Sequence, residues 1–273
     1  MRVCIRVFGI VQGVGFRPTV KRHADACDIA GSVSNKGPYV EIFAEGSEEC
    51  VNSFIKQIQE EPPKRAVILK LDVENVESGE DGIHKVESET DSKEKFQIIE
   101  SEKEEGEIFV SPDIAICSEC KKELYDKNDR RYLHPFINCT CCGPRLTILD
   151  SMPYDRVRTS MGEFPMCEKC EYEYTHAETR RFDAQPVCCN DCGPEVYLLG
   201  RKERGADAIR YTRKVISEGG IVAVKGIGGF HLCCDAAKEE TVARLRQRKK
   251  RPMKPFAVMM KDLDVVRREC ETE

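Results

Sequence analysis

The chain reads as a multidomain α+β protein, on three observations. Strand and helix patterns alternate as βαββαβ over residues 1–100, a cysteine pattern written twice fills 101–200, and an α/β pattern of helix, strand and glycine loop begins near 201 and runs to 273. With 273 residues there is room for two domains or three small ones, and 40% hydrophobic against 33% charged residues is a globular composition. No apolar run approaches the roughly eighteen residues of a membrane span, and the stretch from Met1 to Pro18 lacks both an apolar signal core and a cleavage site. A cytoplasmic protein with no membrane contact is expected, and its reducing surroundings suit thiolate ligands better than disulfides. The net charge of -5 argues against general affinity for nucleic acid.

Val3 to Phe8 alternates in strand fashion and runs into a glycine-punctuated loop, Gly9-Ile10-Val11-Gln12-Gly13-Val14-Gly15-Phe16-Arg17, with Pro18 where the first turn of a helix accepts it. Backbone N–H groups of such a loop can form an anion-binding nest, the following helix turns its positive end to the same spot, and Arg17 adds a bidentate fork. A phosphate is the natural guest. Helix 18–29, strand 31–35, a Lys36-Gly37-Pro38 turn, strand 39–45, helix 48–60 and strand 66–76 then complete a ferredoxin-like split βαβ order. From Glu77 to Glu107 twelve acids face four lysines, which reads as a solvated hairpin and linker broken by one apolar patch, Phe96-Gln97-Ile98-Ile99, expected as a last edge strand.

Cys117, Cys120, Cys139 and Cys142 fall on Cys167, Cys170, Cys189 and Cys192 when the chain is shifted by fifty residues, so C-x2-C-x18-C-x2-C occurs twice, over 117–142 and 167–192. The match extends to Glu123 with Glu173, Arg130-Arg131-Tyr132 with Arg180-Arg181-Phe182, and Gly143-Pro144 with Gly193-Pro194. Four thiolates per ion describe structural zinc with no open position for catalysis, ahead of disulfides or iron–sulfur ligation. Two zinc ions are expected. Spacing leaves open whether four ligands of one repeat share an ion or the repeats interleave; contiguous sets are simpler. Cys141 and Cys188 adjoin ligand positions, and His134 and His176 are spare. Between Cys117 and Cys192 eleven basic residues meet thirteen acidic ones, so the basic stripe of a nucleic-acid-binding zinc module is missing and a scaffold is favoured. Pro153-Tyr154-Asp155-Arg156, between the repeats, reads as a turn able to dock on a neighbouring domain.

Further on, helix 208–218, a buried strand 221–224, the loop Lys225-Gly226-Ile227-Gly228-Gly229-Phe230, helix 238–250 and a strand 256–260 are expected. Seven cations and no acid lie between Arg244 and Lys254, a run open to reading as an exposed basic helix or a phosphate clamp.

The first loop, with Asn35 eighteen residues beyond Arg17, resembles the acylphosphatase signature. The resemblance implies that Arg17 and the loop Gln12, Gly13, Val14, Gly15 and Phe16 hold a phosphoryl group while the Asn35 amide positions the attacking water. Strand, K-G-x-G-G-F loop, helix and the K-x-R pair of Lys249 and Arg251 resemble a YrdC-like domain, implying that these two residues, with Lys225, meet nucleotide phosphates. Together with the doubled cysteine pattern, the chain resembles the HypF family of carbamoyltransferases that mature [NiFe]-hydrogenases. That resemblance implies cleavage of carbamoyl phosphate, ATP-dependent activation of the carbamate, and delivery to the C-terminal cysteine of HypE on the way to a cyanide ligand. The expected span of the family reaches beyond residue 273, so the chain is expected to be an N-terminal portion with an incomplete YrdC-like domain, whether as a fragment or as a split-gene product completed by a separate chain. A stand-alone acylphosphatase on a zinc scaffold and a non-catalytic zinc-binding interaction module are the alternatives.

Overall fold

A computed structural model describes residues 1–76, 95–102, 106, 109–226 and 228–271. The hairpin and linker expected over 77–94 lie outside the described residues. The chain forms two compact units, 1–195 and 196–273.

The first unit opens with a sheet. Strand β1 (Arg2–Ile10) leads through the glycine loop into helix α1 (Phe16–Ala26); β2 (Ala30–Asn35), β3 (Tyr39–Glu45), α2 (Glu48–Glu60), β4 (Val67–Asn75) and β5 (Phe96–Ile98) follow. The sheet order is β4-β1-β3-β2-β5. Both β1 and β2 pair antiparallel with β3, and β5 pairs parallel with β2, so the carboxyl ends of β1, β2 and β5 share one edge. That edge carries the loop 11–15, Asn35 and the segment leaving β5. Alternate strand residues (Val3, Ile5, Val7; Val40, Ile42, Ala44) meet Val20 and Ala24 of α1 and Val51, Phe54 and Ile58 of α2 in one apolar core. Ser47 caps α2 by accepting the Cys50 N–H at 3.1 Å.

The cysteine region builds two short helices, α3 (Ser118–Tyr125) and α4 (Glu168–Thr175), each beginning directly after the first cysteine of its repeat, and joins them through 3-10 turns. Its apolar clusters are small and centre on the sulfurs: Ile114 and Ile137 around Cys120, Cys139 and Cys142, then Ala184 and Val187 around Cys170 and Cys189.

The second unit has α5 (Gly205–Ser217), a hairpin of β6 (Val222–Lys225) and β7 (Phe230–Cys233), α6 (Glu239–Lys249) and α7 (Leu263–Glu269). Two expectations fail here. The strand read as buried from its Ile-Val-Ala-Val composition is part of a two-stranded ribbon that α5 touches without burying it, with Val224 43% and Leu232 42% exposed. Residues 256–260 are irregular rather than a strand: Phe256 is drawn under the Arg246 and Arg251 guanidinium groups, at 4.7 and 5.6 Å, in place of a ladder partner. Among the described residues no helix is long and apolar enough to cross a membrane.

Candidate active site and metal centres

The loop after β1 turns on two left-handed glycines, Gly13 (φ 70) and Gly15 (φ 79). Gly15 is the N-cap of α1 and offers no side chain, so the first N–H groups of this helix have no side-chain acceptor, unlike those of α2. An uncapped helix start behind two left-handed turns is an arrangement that can seat an anion, with backbone dipoles supplying the positive field. Arg17, in the first turn, is placed beside it.

Asn35 ends β2 on the same edge. Its side chain is 1% exposed, and neither its Nδ2 nor its Oδ1 has a partner among the described residues. Buried amides are nearly always satisfied, so two atoms without a partner among the described residues leave this amide with hydrogen-bonding capacity to spare. Gln12 Nε2 donates to Gly37 O at 2.8 Å, tying the loop to the turn after β2. Ser101 accepts from Arg17 Nη1 at 3.2 Å, and the neighbouring Glu102 N–H donates to Asn35 O at 2.9 Å. Arg17, the loop 12–16 and Asn35 thus meet at one end of the sheet.

What the sequence did not disclose is the cover over this end. Arg17 is buried at 7% exposure, and its guanidinium is held by two carboxylates of the cysteine region: Nη1 by Asp155 Oδ1 at 2.9 Å and Nε by Asp183 Oδ2 at 3.1 Å. Burial opposes the charge, yet Asp183 and Asp155 hold the guanidinium pKa above its ordinary value. Tyr154 N–H donates to Gln12 Oε1 at 3.2 Å. Arg145 Nε donates to Gly13 O while its Nη2 donates to Cys139 O and Thr140 O at 3.0 and 2.9 Å, linking the glycine loop to the first cysteine knuckle. The turn 153–156 does dock, as its composition suggested. Asp183 had one legible signal. It falls on Leu133 in the repeat register, both residues have positive φ, and a carboxylate in place of an apolar side chain is a departure that structure alone does not require.

The eight cysteines gather as two contiguous sets, Cys117, Cys120, Cys139 and Cys142, and Cys167, Cys170, Cys189 and Cys192. Sulfur–sulfur distances of 3.8 Å (Cys117–Cys139), 3.7 Å (Cys139–Cys142), 3.8 Å (Cys167–Cys189) and 3.8 Å (Cys189–Cys192) match the edges of about 3.8 Å that a tetrahedron with metal–sulfur bonds near 2.3 Å requires. They are far too long for S–S bonds. Both sets fit zinc. Cys141 is exposed, Cys188 is buried against His134 Nε2 at 3.2 Å, and neither belongs to a set.

The repeated arginines act across the repeats. Arg130 and Arg131 reach Cys170 Sγ and Glu173 of the second repeat, whereas Arg180 and Arg181 reach Cys120 Sγ and Glu123 of the first. Each guanidinium pair counters the negative charge of the other repeat's thiolates. The reason for duplicating Arg-Arg and Glu together with the cysteines lies in that exchange.

Of the candidate nucleotide residues, Lys225 stacks its ammonium 5.7 Å from the Phe230 ring, Arg251 donates to Pro255 O at 3.2 Å, and Lys249 ends α6. Each has its own local setting.

Family models place an acylphosphatase domain at residues 3–97, HypF fingers at 116–149 and 166–199, and the domain described as telomere recombination, of the Sua5, YciO and YrdC type, at 214–273. The chain is 52% identical to a probable carbamoyltransferase HypF of Methanocaldococcus jannaschii over 266 residues, 96% of this chain and 33% of the relative. It is 46% identical to carbamoyltransferase HypF2 of Cupriavidus necator over 268 residues, again 96% of this chain and 32% of the relative. An acylphosphatase of Caldivirga maquilingensis is 46% identical over 83 residues, 86% of its length. A crystal structure of full-length HypF in a phosphate- and nucleotide-bound form superposes with a TM-score of 0.86 at 46% identity, covering 100% of this chain and 34% of that one. The chain therefore spans about a third of the HypF proteins it matches.

Proposed function

Because the chain belongs to the HypF carbamoyltransferase family, we propose that its residues 1–100 hydrolyse an acyl phosphate, carbamoyl phosphate, as the first step of that family's carbamoyl transfer. The observation that carries this reading is the uncapped start of α1 behind Gly13 and Gly15, with Arg17 beside it and the unpartnered Asn35 amide on the same sheet edge. The phosphoryl oxygens sit in the N–H groups of the loop 12–16 and on Arg17, which stabilise charge as it spreads in transfer. Asn35 accepts from and donates to a water aimed at phosphorus. Water attacks, the bond from phosphorus to the carbamoyl oxygen breaks, and carbamate and inorganic phosphate leave. Carbamate is a good leaving group, so orientation and charge suffice without a general base.

The two zinc sites hold no open coordination position and serve structure. Likeness to a HypF crystallised with phosphate and nucleotide supports a nucleotide-using later step, in which carbamate is activated with ATP and Lys225, Lys249 and Arg251 of residues 201–273 meet the nucleotide phosphates. Family resemblance alone adds delivery of the carbamoyl group to the C-terminal cysteine of HypE in a reducing cytoplasm. These steps belong to the whole family protein, of which this chain covers about a third.

Phosphate release from carbamoyl phosphate, corrected for uncatalysed decay, tests the first step. Arg17→Ala and Asn35→Ala are each expected to lower it by about 100-fold or more, the usual loss for one pre-aligned charge-stabilising donor. Hydrolysis that is measurable and indifferent to Arg17→Ala would sink the reading.

A further inference from the structure

The Arg17 guanidinium is both the cation of the anion seat and the buried partner of Asp155 and Asp183, and the two roles conflict. The cavity that the loop 11–18 shares with Thr140, Arg145, Tyr154 and Asp183 measures about 20 Å³, room for one water but not for a phosphoryl group. Arg17 also borders an adjoining cavity of about 610 Å³ that Asp155 and Asp183 line, and a phosphoryl oxygen that takes Nη1 or Nε of Arg17 displaces these carboxylates. Each carboxylate keeps one partner when that happens: Asp155 Oδ2 keeps Arg158 Nη1 at 3.0 Å, and Asp183 Oδ1 keeps Gln185 Nε2 at 2.8 Å. Asp155 Oδ1 and Asp183 Oδ2 lose theirs. Both side chains are mostly buried, at 16% and 11% exposure, and a buried carboxylate oxygen left without a donor is costly.

The substrate can supply those donors. With its phosphoryl group in the loop, the acyl half extends past Arg17 into that larger cavity, which Asp155 and Asp183 both line. A carbamoyl group carries an NH2 with two N–H donors, one for each vacated oxygen, whereas an acetyl group carries none. Resting on the acyl-phosphate reading of this site, we propose that Asp155 and Asp183 are its specificity-determining residues. Any anion that takes Arg17 breaks its ion pairs with them, and only acyl phosphates bearing N–H donors return hydrogen bonds to the vacated oxygens. Sites built to hydrogen-bond an N–H discriminate strongly against the analogue lacking it.

The test compares kcat/KM for carbamoyl phosphate and acetyl phosphate in the zinc-loaded full chain, in wild type, Asp155→Asn and Asp183→Asn. Asn suits position 183, where φ is 56. Wild type is expected to favour carbamoyl phosphate, and each variant to lower the ratio by at least about tenfold, the lower bound for one hydrogen bond to a charged group. A ratio that stays constant while both rates change together would mean that the carboxylates merely position Arg17, and would overturn the proposal. If wild type hydrolyses neither acyl phosphate, the acyl-phosphate reading fails, and calorimetric titration with the same two compounds decides the selectivity claim separately. A preference for carbamoyl phosphate that the variants lose upholds it; no preference in wild type overturns it.

Discussion

Replacing Glu173 with Gln is expected to loosen both metal-binding repeats at once, because this carboxylate of α4 receives the arginine pair of the other repeat. Its oxygens meet Arg130 Nη2 at 3.0 Å and Arg131 Nη1 at 3.0 Å, with a further contact to Arg131 Nη2, and Arg181 Nη1 lies 3.6 Å away. The Arg131 side chain is 2% exposed and Glu173 25%. Burial alone would favour the neutral acid, but the bonds from Arg131 and the charges of Arg131, Arg181 and Arg130 hold the Glu173 carboxyl below its ordinary range. Deleting one partner of a fully buried pair costs about 3–5 kcal/mol. Glutamine keeps one acceptor and the site is a quarter open, so a loss of about 2 kcal/mol is expected, roughly 30-fold in the folded ratio. Urea unfolding followed by circular dichroism at buffered free zinc measures it, and chelator titration reports how many ions leave together. Glu163→Gln, at an exposed position, is the control and should stay within about 0.5 kcal/mol. A Glu173→Gln protein as stable as that control, or one that releases a single ion early while the other holds as in wild type, would refute the exchange between repeats.

Metal removal by chelator under reducing conditions should expose residues 109–195 to protease while 1–76 stay protected, because the apolar core of the sheet is separate from the small clusters around the sulfurs. Burial pushes His134 down to about 4 from 6.5, so its neutral form contributes stability that is complete above pH 6.5 and is lost as pH falls from 6.5 toward 4. Unfolding curves across that window should therefore fall less steeply for His134→Gln, by up to about 3 kcal/mol in total. Asn35→Ala should leave the melting temperature within about 4 °C of wild type while hydrolysis collapses, since it removes two polar atoms that have no partner among the described residues.

Much of this was legible in the residues. Alternation in β1, the glycine loop and the succession of strand and helix patterns after it gave the split βαβ order, and α2 begins and ends where its pattern did. Cysteine register marked the ligands but could not choose between contiguous and interleaved sets, which only the sulfur distances decide. Likewise the doubled Arg-Arg pairs were visible without their targets, because a local repeat is silent about which copy it faces. The hidden part is long-range: Arg17 meets Asp155 and Asp183 across more than a hundred residues, and no periodicity encodes such a contact. Residues 221–224 misled through composition, since Ile and Val favour a pleated strand whether or not a second layer covers it.

Duplication explains why a metal module can serve as a lid. A four-thiolate zinc site carries a net charge near −2, and leaving two of them in a small domain with little apolar core would favour separation of the repeats. Exchanged arginines reverse that tendency, because each site is neutralised only while its neighbour stays in place. Rigidity follows, and it extends outward. The backbone carbonyls of the first knuckle hold Arg145 on Gly13, and the turn after the first repeat and the loop ending at Asp183 of the second set both carboxylates on Arg17. Neither repeat alone could supply both Asp155 and Asp183. A single finger would present at most one of the two carboxylates to Arg17, whereas the locked pair presents both.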